Sequence, residues 1–203
     1  MGQTRQKFGC EQLENTFCMS ENKLKLHVGC GNVIIPGYVN IDIRPLDGVD
    51  VVSDIRNLPY PDNSVDFIYS CANIEHFGRN EWKNVLGHFF SKLKLGGTLR
   101  LSTADFEAVC KRYQQEGNVE ELLGLVIGGQ KNNYDWHGMV FDFNLLKKGL
   151  ESIGFENIRR YDWRDTELAE LGIDDYSQAY LPHMDKEKGM LMMLNVLADK
   201  PQK

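Results

Sequence analysis

The sequence has no apolar run near the roughly 20 residues that a membrane-spanning helix needs, and its polar N-terminus lacks the apolar core of a signal peptide. Nor does it contain a run of lysines and arginines. With a net charge of −6, this argues against the basic face on which nucleic acid binds. Five scattered cysteines (Cys10, Cys18, Cys30, Cys71 and Cys110) form neither a CxxC pair nor a zinc-ligand spacing. They predict a reduced, cytoplasmic protein without a bound metal. A Walker lysine is missing, and so is a Tyr-x-x-x-Lys pair at any of the eight tyrosines. Met1-Gly2 resembles a myristoylation start, but Gln6 stands where Ser or Thr is required.

What is present suffices for one folded domain: 203 residues, 42% of them hydrophobic and 10% aromatic. Residues 1–22 are polar and irregular and read as an N-terminal extension; the domain pattern runs over 23–203. Strand-like runs are 24-LKLHVG, 38-YVNIDI, 50-DVVSDI, 65-VDFIYSCA, 98-TLRLSTA, 155-FENIRRYDW and 190-MLMMLNVLA. Between the later ones lie helix patterns. In 80-NEWKNVLGHFFSKLK the apolar residues Trp82, Val85, Leu86, Phe89, Phe90 and Leu93 recur at helical period, with Asn80 a candidate cap and Gly96-Gly97 a candidate end. Further helices are predicted over about 105–116, from near Asn118, and over about 142–152. Strands alternating with helices imply an α/β fold on a largely parallel sheet.

The first half departs from that rhythm. Ten residues separate Gly31 from Asp42, broken by Pro36-Gly37, and 44-RPLDGV-49 is shorter still. A parallel crossover usually takes a dozen or more residues, so both early crossovers are predicted to be loops. A dinucleotide site sets its pyrophosphate on the helix after the glycines. That helix and the third glycine of GxGxxG are missing after 29-GCG-31. A ligand with a ribose and no phosphate, such as S-adenosyl-L-methionine, fits better. Asp42 and Asp54 end the second and third strands, where open α/β sheets bind ligands and where carboxylates can accept from ribose hydroxyls and an adenine amino group.

The series 28-VGCG, 39-VNID, 51-VVSDIRNLPYPDNSVDFIYS and 73-NIEHF resembles the class I S-adenosyl-L-methionine-dependent methyltransferases. It is closest to a small subgroup often encoded among polysaccharide-biosynthesis enzymes, and the likeness covers about 23–160. The resemblance implies a Rossmann-like sheet, mostly parallel with an antiparallel last strand. It implies that Gly29, Cys30 and Gly31 contact the methionine and ribose parts of the cofactor, that Asp42 holds the ribose, that Asp54 with Ile55 holds the adenine, and that Cys71 lies beside the methionine end. His27 stands where the family often has an acid. Each residue also has a purely structural reading: turn glycines, turn-capping carboxylates, small apolar cysteines.

The acceptor is less legible. No Asn/Asp-Pro-Pro-aromatic segment follows the fourth strand and Cys71 follows Ser70, not proline, so nucleic-base acceptors are disfavoured. His76 and His137 are the candidate general bases, because histidine titrates near working pH; Asp105 is a weaker one. The aromatics and polar residues of 161–189 suggest a substrate-covering segment, with Tyr180 and His183, together with Trp136, as candidate substrate contacts. The resulting expectation is O-methylation of a sugar, nucleotide sugar or glycan precursor. Alternatives are another small-molecule hydroxyl, phosphate or amine, or a non-catalytic nucleoside-binding protein. The expected partner is a small carbohydrate, with no nucleic acid and a homodimer as an option.

Overall fold

The computed structural model describes residues 23–203; the expectation for residues 1–22 lies outside them. Seven strands form one sheet in the order β3-β2-β1-β4-β5-β9-β6. They are β1 (Lys25–Val28), β2 (Val39–Asp42), β3 (Val51–Val52), β4 (Val65–Cys71), β5 (Leu93–Ala104), β6 (Glu156–Arg160) and β9 (Met193–Asp199). β9 is antiparallel to both of its neighbours, and the other pairings are parallel. A two-stranded ribbon, β7 (Tyr180–Leu181) with β8 (Met190–Leu191), precedes β9. The run read as one final strand is therefore two, and the ribbon lacked a sequence signal of its own.

The early crossovers are loops. No helix lies between β1 and β2 or between β2 and β3, and a single 3₁₀ turn, Ile55–Asn57, precedes β4. Helices α1 (Trp82–Lys92), α2 (Phe106–Glu116), α3 (Leu123–Ile127), α4 (Phe143–Ile153) and α5 (Glu167–Glu170) all follow β4. α1 buries Trp82, Val85, Leu86 and Phe89, the stripe its period predicts. Its ends differ from the expectation. Residue Glu81 occupies the N-cap without a side-chain bond, and the chain passes directly from Lys92 into β5, so Asn80 is no cap and Gly96-Gly97 lie inside the strand.

α1 and α4 cover one face of the sheet, and Trp82 lies so close over Gly149 that a Cβ there would stand 2.1 Å from its ring. The opposite face is bare of crossover helices. Phe67, Tyr69 and Cys71, alternate residues of β4, point to it and pack with Ile35, Tyr38, Leu168 and Ile173. Its cover comes from residues 163–178. Arg100 donates to both Glu167 oxygens at 2.8 and 3.0 Å, Tyr38 donates to the same carboxylate, and Tyr69 donates to Asp175. Asn195 Nδ2, on β9, donates to the Ser177 carbonyl at 3.0 Å. The segment read as a substrate flap is for most of its length the second wall of the core.

Candidate functional site

A cleft of about 940 Å³ opens at the carboxyl ends of β1 to β4, near the upper end of the range for small-molecule sites. Gly29, Cys30, Gly31, Asp42, Asp54, Ile55 and Cys71 all line it, and so do His76 and Trp136. His137, Tyr180 and His183 do not. Sheet register explains the convergence, since Val28 pairs with Ile41 on one side and with Ser70 on the other. The loops leaving β1, β2 and β4 therefore begin at one level.

Gly29 and Gly31 have φ of +66° and +55°, a region that glycine enters without penalty. At Gly29 a Cβ would fall 1.9 Å from the Asn73 carboxamide oxygen. Asn73 itself ties the strand ends together: Nδ2 donates to the carbonyls of Cys71 at 2.6 Å and of Val28 and Gly29 at 3.2 Å.

Asp42 is buried. One oxygen accepts from Gly31 N–H at 2.8 Å, the other from Arg44 N–H and Nε at 2.9 and 3.0 Å. Burial alone would raise this carboxyl, but the bonds from Arg44 and Gly31 outweigh it and hold it below its ordinary value. Asp54 caps the 55–57 turn, and the Arg56 guanidinium, at 2.6 Å, lowers it likewise. The same tripeptide, Asp-Ile-Arg, thus occurs at 42–44 and 54–56. That repetition was the available signal for Arg44 and Arg56.

Burial pushes the Cys30 thiol up to about 11, aided by Asp42, and the Cys71 thiol well above its ordinary value, so neither is a thiolate. Burial also lowers His27 to about 4; it stacks on Tyr69 and faces Asn40 Oδ1 as a neutral strand residue.

The two histidines proposed as bases require correction. His76 lines the cleft, but Nδ1 lies 3.0 Å from the Trp136 carbonyl and Nε2 3.0 Å from the Ala72 carbonyl. A general base needs a free lone pair directed at its substrate, and both ring positions are taken. His137 packs behind it, edge-on at 5.0 Å, with Nδ1 on the Leu125 carbonyl. Asp105 caps α2 and pairs with Arg160. Tyr180 is buried, accepting from Trp163 and Arg164, and His183 is exposed and does not line the cleft. Tyr134, Tyr176 and Asp175 line the cleft instead; the last two belong to the segment 161–189, where Asp175 caps the 3₁₀ turn that Tyr176 opens.

Residues 26–101 match the family model described as a methyltransferase domain. The match takes in β1 to β4, α1 and most of β5. The chain is an enzyme, and its cofactor is S-adenosyl-L-methionine. No curated protein matches the chain. Solved structures share the fold at low identity. A methyltransferase in complex with the Trm112 activator of Haloferax volcanii is 16% identical at a TM-score of 0.54, over 89% of this chain and 84% of that one. An S-adenosyl-L-methionine-dependent methyltransferase of Archaeoglobus fulgidus is 14% identical at 0.54, over 88% and 86%. One from Methanosarcina mazei is 15% identical at 0.53, over 91% and 95%. The side-chain-free Gly29 turn and the doubly bonded Asp42 beside it fit such a cofactor. When bound, its sulfonium supplies an electrophilic methyl group. No helix among the described residues is long and apolar enough to cross a membrane.

Proposed function

We propose that the enzyme transfers methyl from S-adenosyl-L-methionine to a hydroxyl of a neutral, polyhydroxylated small molecule: a sugar or glycan precursor in a cytoplasmic polysaccharide-biosynthesis setting. In this reading Gly29, Cys30 and Gly31 hold the methionine and ribose parts, Asp42 the ribose hydroxyls, and Asp54 with Ile55 the adenine, with Cys71 beside the methionine end. The observation that carries the acceptor class is the lining of the cleft. Three aromatic rings stand exposed along it, Tyr134, Trp136 and Tyr176, at 54%, 55% and 69%, and flat rings of this kind stack on sugar faces. Six carboxylates (Asp42, Asp54, Glu81, Asp135, Asp174, Asp175) face three cations (Arg44, Arg56, Lys131), a formal balance of −3. Such a field repels phosphates, which favours a free sugar over a nucleotide sugar. The same balance favours an amine as the second reading.

Labelled methyl transfer into matched neutral sugars, sugar phosphates and amines decides between them. Label in an ether of the neutral sugars is the expected result; label confined to phosphates or amines overturns the proposal.

Asp175 is the carboxylate assigned to the acceptor's proton. Asp42 and Asp54 are committed to arginines, Asp174 pairs with Lys186 and Glu81 lies near Arg56. Asp135 accepts from Gly129 and Lys131 of its own loop. Asp175 has no basic partner among the described residues; its bonds come from Tyr69, Ser177 N–H and Ser177 Oγ. Asp175→Asn removes the charge and keeps one oxygen to accept from Ser177, while the amide nitrogen in place of the other oxygen can no longer accept from Tyr69. It should lower kcat about 100-fold, the ordinary loss of a general base, with the S-adenosylhomocysteine affinity unchanged by calorimetry.

A further inference from the structure

Residues 131–136 form the tip of a loop that crosses the cleft. Trp136 lies at the exit of β4, and Tyr134 comes near enough to Arg44 to act on its charge. The tip is held chiefly by itself. Gln130 N–H donates to the Asp135 carbonyl, Asp135 N–H to that of Asn132, and Tyr134 N–H to Asn132 Oδ1. Among the described residues, the only hydrogen bond from 131–136 to anything outside 128–137 is the one between the Trp136 carbonyl and His76 Nδ1. The other ring nitrogen of His76 meets the carbonyl of Ala72, a non-glycine residue with φ of +52° whose N–H donates to the Ser102 carbonyl.

We propose that His76 is a positioning residue: its ring, donating from both nitrogens, clasps the 131–136 loop to the β4 exit and so holds the loop over the cofactor. Tyr134 of this loop comes close to Arg44, just past β2, where no crossover helix follows. Carbonyl oxygens only accept, so the clasp is complete when both ring nitrogens carry protons and loses one bond when one of them leaves. Of the titratable and charged groups around the ring, His137 packs edge-on behind it and Glu75 shares its turn, while Lys131, Asp135, Arg56 and Glu81 line the same cleft. The inference rests on the cofactor placement above. It predicts a proton-linked affinity for S-adenosylhomocysteine and a proton-linked exposure of Trp136.

The test is calorimetry with S-adenosylhomocysteine between pH 5.5 and 8, alongside acrylamide quenching of tryptophan without ligand. Trp82 and Trp163 are buried, so quenching reports on Trp136. In the wild type, affinity should fall about five-fold as pH rises, the scale of one hydrogen bond, while quenching rises in step. His76→Gln should be weak and flat across the range, at the level of the wild type at high pH. His137→Gln should keep the wild-type profile. A flat wild-type quenching profile, or a step that survives in His76→Gln, overturns the clasp. A quenching step without any change in affinity keeps the clasp and overturns the placement of the cofactor beneath the loop.

Discussion

Glu167→Ala should lower the free energy of unfolding by about 3 kcal/mol, the lower end of what breaking a buried ion pair costs, read as a fall in the urea midpoint at constant slope. The Arg100 side chain is only 5% exposed, with its guanidinium stacked 4.3 Å over the Tyr69 ring. Its partner, 32% exposed, keeps some access to water, hence the lower figure. The alanine leaves a guanidinium in the core whose Nε already has no partner. Burial would raise the Glu167 carboxyl, but Arg100 and Tyr38 outweigh it and hold it at about 2. A depressed carboxyl contributes its stability above its ordinary range, and that contribution is lost as pH falls. The gap between wild type and variant should therefore be full above about pH 5 and shrink towards pH 2. Arg100→Met combined with Glu167→Leu removes both charges and should recover most of the loss. A single-variant cost below about 1 kcal/mol would mean a solvent-screened pair that does not hold residues 163–178 on the sheet.

The second large effect concerns the cofactor. Gly29→Ala should weaken S-adenosylhomocysteine by about 100-fold or more, the penalty for a site displaced by about 1 Å. Two faults combine there. Alanine at φ of +66° is strained, by roughly 1–2 kcal/mol, and its Cβ meets the Asn73 oxygen at 1.9 Å. Relieving that contact forces Asn73 out of its three bonds to the ends of β1 and β4. Adding Asn73→Ala to Gly29→Ala removes the collision but not the backbone strain, so it should restore only part of the affinity. Full retention of binding by Gly29→Ala would show that the turn does not touch the cofactor.

The antiparallel last strand was expected only from the family resemblance; the parallel sheet and the missing crossover helices were legible because hydrophobic runs and loop lengths are local quantities. So were the glycines and carboxylates of the cleft, fixed at strand ends by spacing. The histidines were misread for a different reason. Sequence identifies an imidazole near a strand exit, whereas its role depends on what each nitrogen meets, and Trp136 lies 60 residues from His76. Residues 161–189 were legible only in part: Asp174, Asp175, Tyr176 and Met184 do line the cleft, but a mixture of aromatics and carboxylates suits both a sugar site and the charged inner wall to which Glu167 belongs. Burial of Arg100 against Glu167 across 67 positions separates the two, and no periodicity announces it.

The late cover of the second sheet face bears on how the chain is made. During synthesis, Phe67, Tyr69 and the Gly-Cys-Gly turn leave the ribosome long before residues 163–178 exist to cover that side. β9, which sits between β5 and β6, follows both of them in the chain. Pairings so distant in sequence close slowly, and the waiting surface is apolar and prone to association. The nascent domain is therefore exposed to capture by chaperones until β9 is made, and deleting Met193–Asp199 would leave β5 and β6 with no strand between them to join them.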